Sequence, residues 1–124
     1  MTSQQREQLR HELIDQLTVI YQTVRYNLSA AYVARAVEPD PQDEGDESAI
    51  DELRALDASL DDRELHLAHA ITDALRRIKS DSYGICIDCG REIPLERLRA
   101  VPWTLRCALD AGRLEHGRRE HPSL

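Results

Sequence analysis

Three cysteines and one aspartate stand in the C-terminal third of this 124-residue chain at a spacing that suits a single metal ion. Cys86 and Cys89 are two residues apart, Cys107 follows after a gap of seventeen, and Asp110 stands where a second Cys-x-x-Cys pair would have its last cysteine. Zinc prefers thiolates in tetrahedral sites, and a two-residue gap lets both sulfurs reach one ion at about 2.3 Å, with Gly90 freeing the backbone to turn back. The longer gap falls within the roughly fifteen-to-twenty-residue window between the halves of a four-ligand site. Asp110 can coordinate through oxygen and, being anionic, keeps the ligand charge of a four-thiolate site. Zn2+ is therefore the expected cofactor, held by Cys86, Cys89, Cys107 and Asp110.

Other readings compete with this one. His116 is a rival fourth ligand, but nine residues after Cys107 on a helix it faces about half a rotation away. A water, or no fourth ligand, is the next alternative. Without metal, the thiols would pack as small apolar groups around Ile85, Ile93, Leu98 and Trp103. A catalytic zinc deaminase would need His-x-Glu and a proline just before the cysteine pair, and the sequence has neither. His66 and His69, three apart on a charged helix, receive no chemical role. No catalytic residues are assigned, and the chain reads as a non-enzyme.

The elements that must position these groups are helical. Phenylalanine is absent, aromatics make up 4% and charged residues 31% of the chain, a composition that suits helices burying one narrow stripe. From Gln4 to about Arg35 the apolar residues Leu9, Leu13, Leu17, Ile20, Val24, Leu28 and Ala31 recur at steps of three and four with no Pro or Gly between them, which predicts one long amphipathic helix. Residues 38 to 48 then combine two prolines, one glycine and six acids, and read as a turn. Ser48 can cap a second helix, whose stripe of Ile50, Leu53, Leu60, Leu67, Ile71, Leu75 and Ile78 runs to about Lys79. The expected architecture is mainly α: residues 1–80 form a long antiparallel coiled-coil hairpin with its acidic tip at about 38–48, and 81–124 form a small zinc finger and a C-terminal helix from about Leu105 to Arg119. The alternative is a compact bundle in which the acidic run is a solvated loop.

Charge narrows the partners. The net charge of −7 argues against DNA binding as the main activity, since phosphate neutralisation needs clustered Lys and Arg. Twelve of the 23 acids fall in residues 38 to 64, whereas residues 76 to 119 hold ten of the 16 bases. Neither a leader-type N-terminus nor a run of about twenty apolar residues is present, so the expected setting is cytoplasmic, off the membrane. An odd number of cysteines there reads as metal ligands before disulfides.

Tyr83, Gly84, Cys86, Cys89, Gly90, Ile93, Arg97, Leu98, Ala100, Pro102 and Cys107 match a known pattern at eleven positions in twenty-five. In type and spacing this region resembles the zinc finger of the DksA/TraR family of bacterial transcription regulators. The resemblance implies a protein that binds RNA polymerase through its secondary channel, with acidic residues at the coiled-coil tip approaching the active centre. The family's Asp-x-x-Asp-x-Ala tip maps onto Asp43, Asp46 and Ser48, with serine in place of alanine; a second register begins at Asp40. The resemblance further implies a monomer without sequence-specific DNA binding. The competing function is a coiled-coil interaction or scaffold module with a structural zinc finger and no polymerase role. Nucleic-acid binding through Arg91, Arg97, Arg99 and Arg106 is disfavoured by the interleaved Glu92 and Glu96.

Overall fold

The computed structural model describes residues 1–24, 27–38 and 46–120 and contains six helices: α1 (Ser3–Gln22), α2 (Ala30–Val37), α3 (Asp46–Asp57), α4 (Asp62–Arg77), α5 (Leu95–Ala100) and α6 (Ala108–Glu120). The class is mainly α, and among the described residues the extended backbone amounts to one isolated bridge, Ile85 to Glu92.

α1 begins with a capping box: the Thr2 hydroxyl accepts from the Gln5 amide and the Gln5 side chain accepts from the Thr2 amide. Leu9, Leu13, Leu17 and Ile20 form its buried face, as the periodicity predicts. They pack in one core with Ala68, Ile71, Ala74 and Leu75 of α4, where Leu13, Leu17, Ile71 and Leu75 are the largest fully buried side chains. α1 and α4 are antiparallel. Arg6 Nη1 donates to the Ile78 carbonyl at 3.2 Å at one end, and the Thr23 hydroxyl donates to Glu64 Oε2 at 2.9 Å at the other.

The two long helices expected over 4–35 and 48–79 are each interrupted. Beyond Gln22 come the β-branched pair Thr23 and Val24, poor at holding a helix without packing. The Gln22 side chain ties down the Leu28 carbonyl at 2.7 Å, and Ser29 caps a new helix by accepting from the Tyr32 amide at 3.2 Å. The second interruption lies at 58–61. There Asp61 and Glu64 form a capping box that starts α4 afresh, with the Glu64 amide 2.8 Å from Asp61 Oδ1.

These breaks let the middle of the chain fold back. Glu38, at the end of α2, meets Arg10 of α1 at 2.9 Å, so α2 descends along α1. The Tyr21 hydroxyl donates to Asp57 at 2.9 Å, which places the end of α3 at the end of α1. The order is therefore up, down, up, down, with Val33, Ala36, Leu53 and Leu56 joining the common core. The hairpin expectation holds in the antiparallel pairing of the outer helices. The residues that flank the acidic segment lie beside α1 instead of beyond its end. Asp43 is outside the described residues, whereas Asp46 opens α3 and Ser48 lies in its first turn.

Candidate metal centre

The finger is built on two tight turns. Gly84 and Gly90 adopt positive φ of 83° and 72°, a region that side-chain-bearing residues rarely enter. Between them the Cys86 amide donates to the Arg91 carbonyl at 2.9 Å and the Gly90 amide to the Cys86 carbonyl at 3.0 Å, curling the chain so that Cys86 and Cys89 point the same way. The Ile93 amide closes the loop on the Gly84 carbonyl at 2.7 Å.

The other half of the site comes from the start of α6. The Cys107 carbonyl accepts the first helical bond, from Ala111 at 3.0 Å, so Cys107 caps the helix and Asp110 lies in its first turn. Residues three apart share a helix face, and the helix N-terminus favours negative charge, which suits a thiolate and a carboxylate together. The Ile87 amide donates to the Leu105 carbonyl at 3.0 Å and so holds this half against the cysteine loop.

The ligand atoms of Cys86, Cys89, Cys107 and Asp110 all lie within 4.8 Å of one another. Asp110 Oδ2 is 3.1 Å from Cys86 Sγ and 3.3 Å from Cys107 Sγ, and the sulfurs of Cys89 and Cys107 are 4.0 Å apart. A tetrahedron with arms of about 2.3 Å has edges of roughly 3.8 Å. The donor set thus fits zinc in size, softness and charge. Cys86 and Asp110 are buried, Cys107 is half-buried and Cys89 is exposed. His116 falls in the part of α6 whose side chains are outside the described residues.

The electrostatics are those of groups competing for shared protons. Hydrogen bonds from the thiols of Cys86, Cys89 and Cys107 hold the Asp110 carboxyl below its ordinary value, with Arg113 adding a favourable charge. Burial pushes the Cys86 thiol up, but the backbone amides of Cys107, Cys89 and Asp88 outweigh it and leave the thiol lowered. At Cys89 the Arg91 amide favours the thiolate, yet hydrogen bonding to Asp110 and the neighbouring thiols, with the sulfur partly desolvated inside the cluster although the residue as a whole is exposed, pushes the group up to about 11. A divalent cation replaces these shared protons, so metal binding here releases them.

Around the site, Arg97 Nε donates to the Arg106 carbonyl at 2.9 Å and Arg106 Nε meets Asp88 at 2.6 Å. Two of the four arginines considered for nucleic acid are thereby committed to the finger. The Asp88–Arg106 pair and the Tyr83 hydroxyl on the Pro102 carbonyl, 2.9 Å, are supports that spacing alone did not reveal.

Residues 81–108 match the model of the prokaryotic dksA/traR C4-type zinc finger. The fold agrees: transcription factor DksA2 from Pseudomonas aeruginosa superposes with a TM-score of 0.62 at 28% identity, covering 96% of this chain and 89% of that one. The finger is thus similar to that of the DksA/TraR family, and the fold to that of a DksA2 structure. Among curated relatives, the RNA polymerase-binding transcription factor DksA of Caulobacter vibrioides is 38% identical over 78 residues, 63% of this chain and 54% of that protein. An uncharacterized protein of Aquifex aeolicus is 38% identical over 76 residues, 61% of this chain and 52% of its own length. General stress protein 16O of Bacillus subtilis is 38% identical over 50 residues, 40% of this chain and 31% of its own. The chain thus spans about half the length, or less, of these curated relatives. Within the DksA/TraR pattern its departure is Asp110, two residues beyond the matched span. Among the described residues, no helix is long and apolar enough to cross a membrane.

Proposed function

We propose that this chain is a transcription regulator that binds RNA polymerase through its secondary channel and acts, without catalysis of its own, by presenting carboxylates near the polymerase active centre. The observation that carries the reading is the conjunction of a DksA/TraR finger over residues 81–108 with a whole-chain likeness to a DksA2 structure. A Caulobacter relative named as RNA polymerase-binding supports it. In this reading Asp43 and Asp46, with Ser48 beside them, are the effectors, the helices supply the binding surface, and the finger holds the C-terminal helix at a fixed angle to them. Cys86, Cys89, Cys107 and Asp110 hold one zinc, whose contribution is structural. The protein works as a cytoplasmic monomer and does not read DNA sequence. Carboxylates near a mobile, metal-containing centre shift the balance between polymerase conformations through differential contacts with each.

The test is co-purification with core RNA polymerase followed by transcription in vitro, comparing wild type with the double variant Asp43→Asn/Asp46→Asn. Retained binding with lost regulation supports the assignment. A double variant that regulates as well as wild type removes Asp43 and Asp46 as effectors. A wild type that never binds polymerase leaves the chain as an interaction or scaffold module.

A further inference from the structure

We infer that the open seam between α3 and α4 is a binding cleft for a small amphiphilic anion, a carboxylate that carries a short apolar tail. The inference is independent of the polymerase reading, because the cleft draws on neither the finger nor the acidic segment.

The seam follows from how the helices pair. α1 packs against α2 and α4, and α2 packs against α3, but α3 makes no extensive contact with α4. Three sides of the bundle are closed and the fourth is left open. The opening is a cavity of about 390 Å³, within the roughly 300–1,000 Å³ of small-molecule pockets, which often form between the helices of a bundle. Its two long walls are regular. Ile50, Leu53, Arg54 and Asp57 share one face of α3, at i, i+3, i+4 and i+7, and His69, Thr72 and Arg76 share one face of α4, at i, i+3 and i+7.

Floor and rim differ in chemistry. Ala36 and Val37 of α2 join Ile50 and Leu53 in an apolar floor, with Ala36 and Leu53 buried and Val37 and Ile50 half-buried. The rim carries Arg54, His69 and Arg76, all exposed. Among the described residues of the lining Asp57 is the one carboxylate, and it is already engaged: Oδ1 accepts from the Tyr21 hydroxyl at 2.9 Å and Oδ2 faces His69 Nε2 at 4.0 Å. Burial and that bond push the Tyr21 phenol up, so it keeps its proton and remains the donor. Arg76 meets Asp73 of its own helix at 3.3 Å, but both side chains are exposed, and a solvated pair of this kind yields readily to a better-placed anion. The rim is thus cationic on a chain whose net charge is −7.

These features select the ligand. Two guanidinium groups on facing helices present planar, fork-shaped donors that match a carboxylate, and the floor beneath them takes an apolar tail out of water. A cation with the same tail would meet the arginines, and a carboxylate without a tail would leave the floor wet.

Methyl-detected magnetic resonance titration of the full zinc-loaded chain tests this with four probes: octanoate, octylamine, 1-octanol and acetate. The expected result is a saturable shift of the Val37, Ile50 and Leu53 methyl groups with octanoate, at least about tenfold weaker with each of the others, as expected when a charge-assisted hydrogen bond or the tail is lost. Arg54→Gln/Arg76→Gln, which changes two exposed side chains, should weaken octanoate by about tenfold or more and leave 1-octanol unchanged. Circular dichroism establishes that the variant keeps its helices. No saturable shift at those methyl groups, equal responses to octanoate and octylamine, or a double variant that binds octanoate as well as wild type would each overturn the inference.

Discussion

Asp110 Oδ2 lies 3.1 Å from Cys86 Sγ, so a carboxylate in the first turn of α6 meets a thiol from a loop 24 residues earlier in the chain. Nothing local requires that meeting. The donors on either side converge at distances that suit a common cation.

Protein purified without chelator is accordingly expected to contain one zinc per chain. Cys86→Ser and Cys107→Ser should release it and loosen the finger, because a region of this size has too few large apolar side chains to hold its shape unaided. Asp110→Ala should retain metal with weaker affinity, by about tenfold or more, whereas Asp110→Cys should bind more tightly. Elemental analysis and competition with a chromogenic chelator measure both. A folded monomer with no stoichiometric zinc would remove the metal assignment.

Asp61→Ala should destabilise the protein by about 1 kcal/mol, through loss of the cap on the Glu64 amide. Asp61→Asn, which can still accept that bond, should cost much less. Urea denaturation with an unchanged slope is the measurement; equal losses in both variants would assign the effect to charge instead of capping.

Tyr83 gives an alkaline signature. Burial pushes its phenol up to about 12 from an ordinary 10. The folded state therefore binds the Tyr83 proton more tightly than the unfolded state, and the associated stability is fully present below about pH 10 and is lost as pH rises towards 12. Tyr83→Phe should cost about 1 kcal/mol at neutral pH, from the lost bond to the Pro102 carbonyl, and should flatten the fall in stability across that window. Melting temperatures at neutral pH and from pH 9 to 11.5 measure both; an unchanged alkaline slope would place the titration elsewhere.

The metal centre was legible in the sequence because its chemistry constrains spacing. Two thiols two residues apart, a third at a suitable distance and an acid one helical turn on leave few geometries, and the four donors do converge. The mainly helical class followed from the stripes, and Leu13, Leu17, Ile71 and Leu75 are buried as those stripes require. The breaks were harder to see. An apolar stripe looks the same whether its helix runs on or restarts, so Leu60 and Leu67 concealed the change at Asp61, although Asp61-x-x-Glu64 is a readable start signal. The break before α2 has a local signal in the Ser29 cap, but the direction α2 then takes has none. It rests on Val33 and Ala36 entering the common core and on Glu38 meeting Arg10 across 28 residues, a choice between tertiary partners that the flanking residues do not disclose.

Two of the donors belong to one turn of α6 and two to a loop. Among the described residues α6 makes no extensive contact with any other helix, and Leu109 and Leu114 on it are exposed. Its bearing is thus set at its first turn, where Cys107 and Asp110 meet Cys86 and Cys89 and where the bonds of Leu105 and Arg106 to the finger end, in the manner of a mast stepped on a single foot. A shift of a few degrees at that foot moves the far end of a 13-residue helix, about 20 Å away, by more than an ångström. Exchanging oxygen for sulfur at position 110 would therefore change where the far end of α6 points as well as how firmly the metal is held.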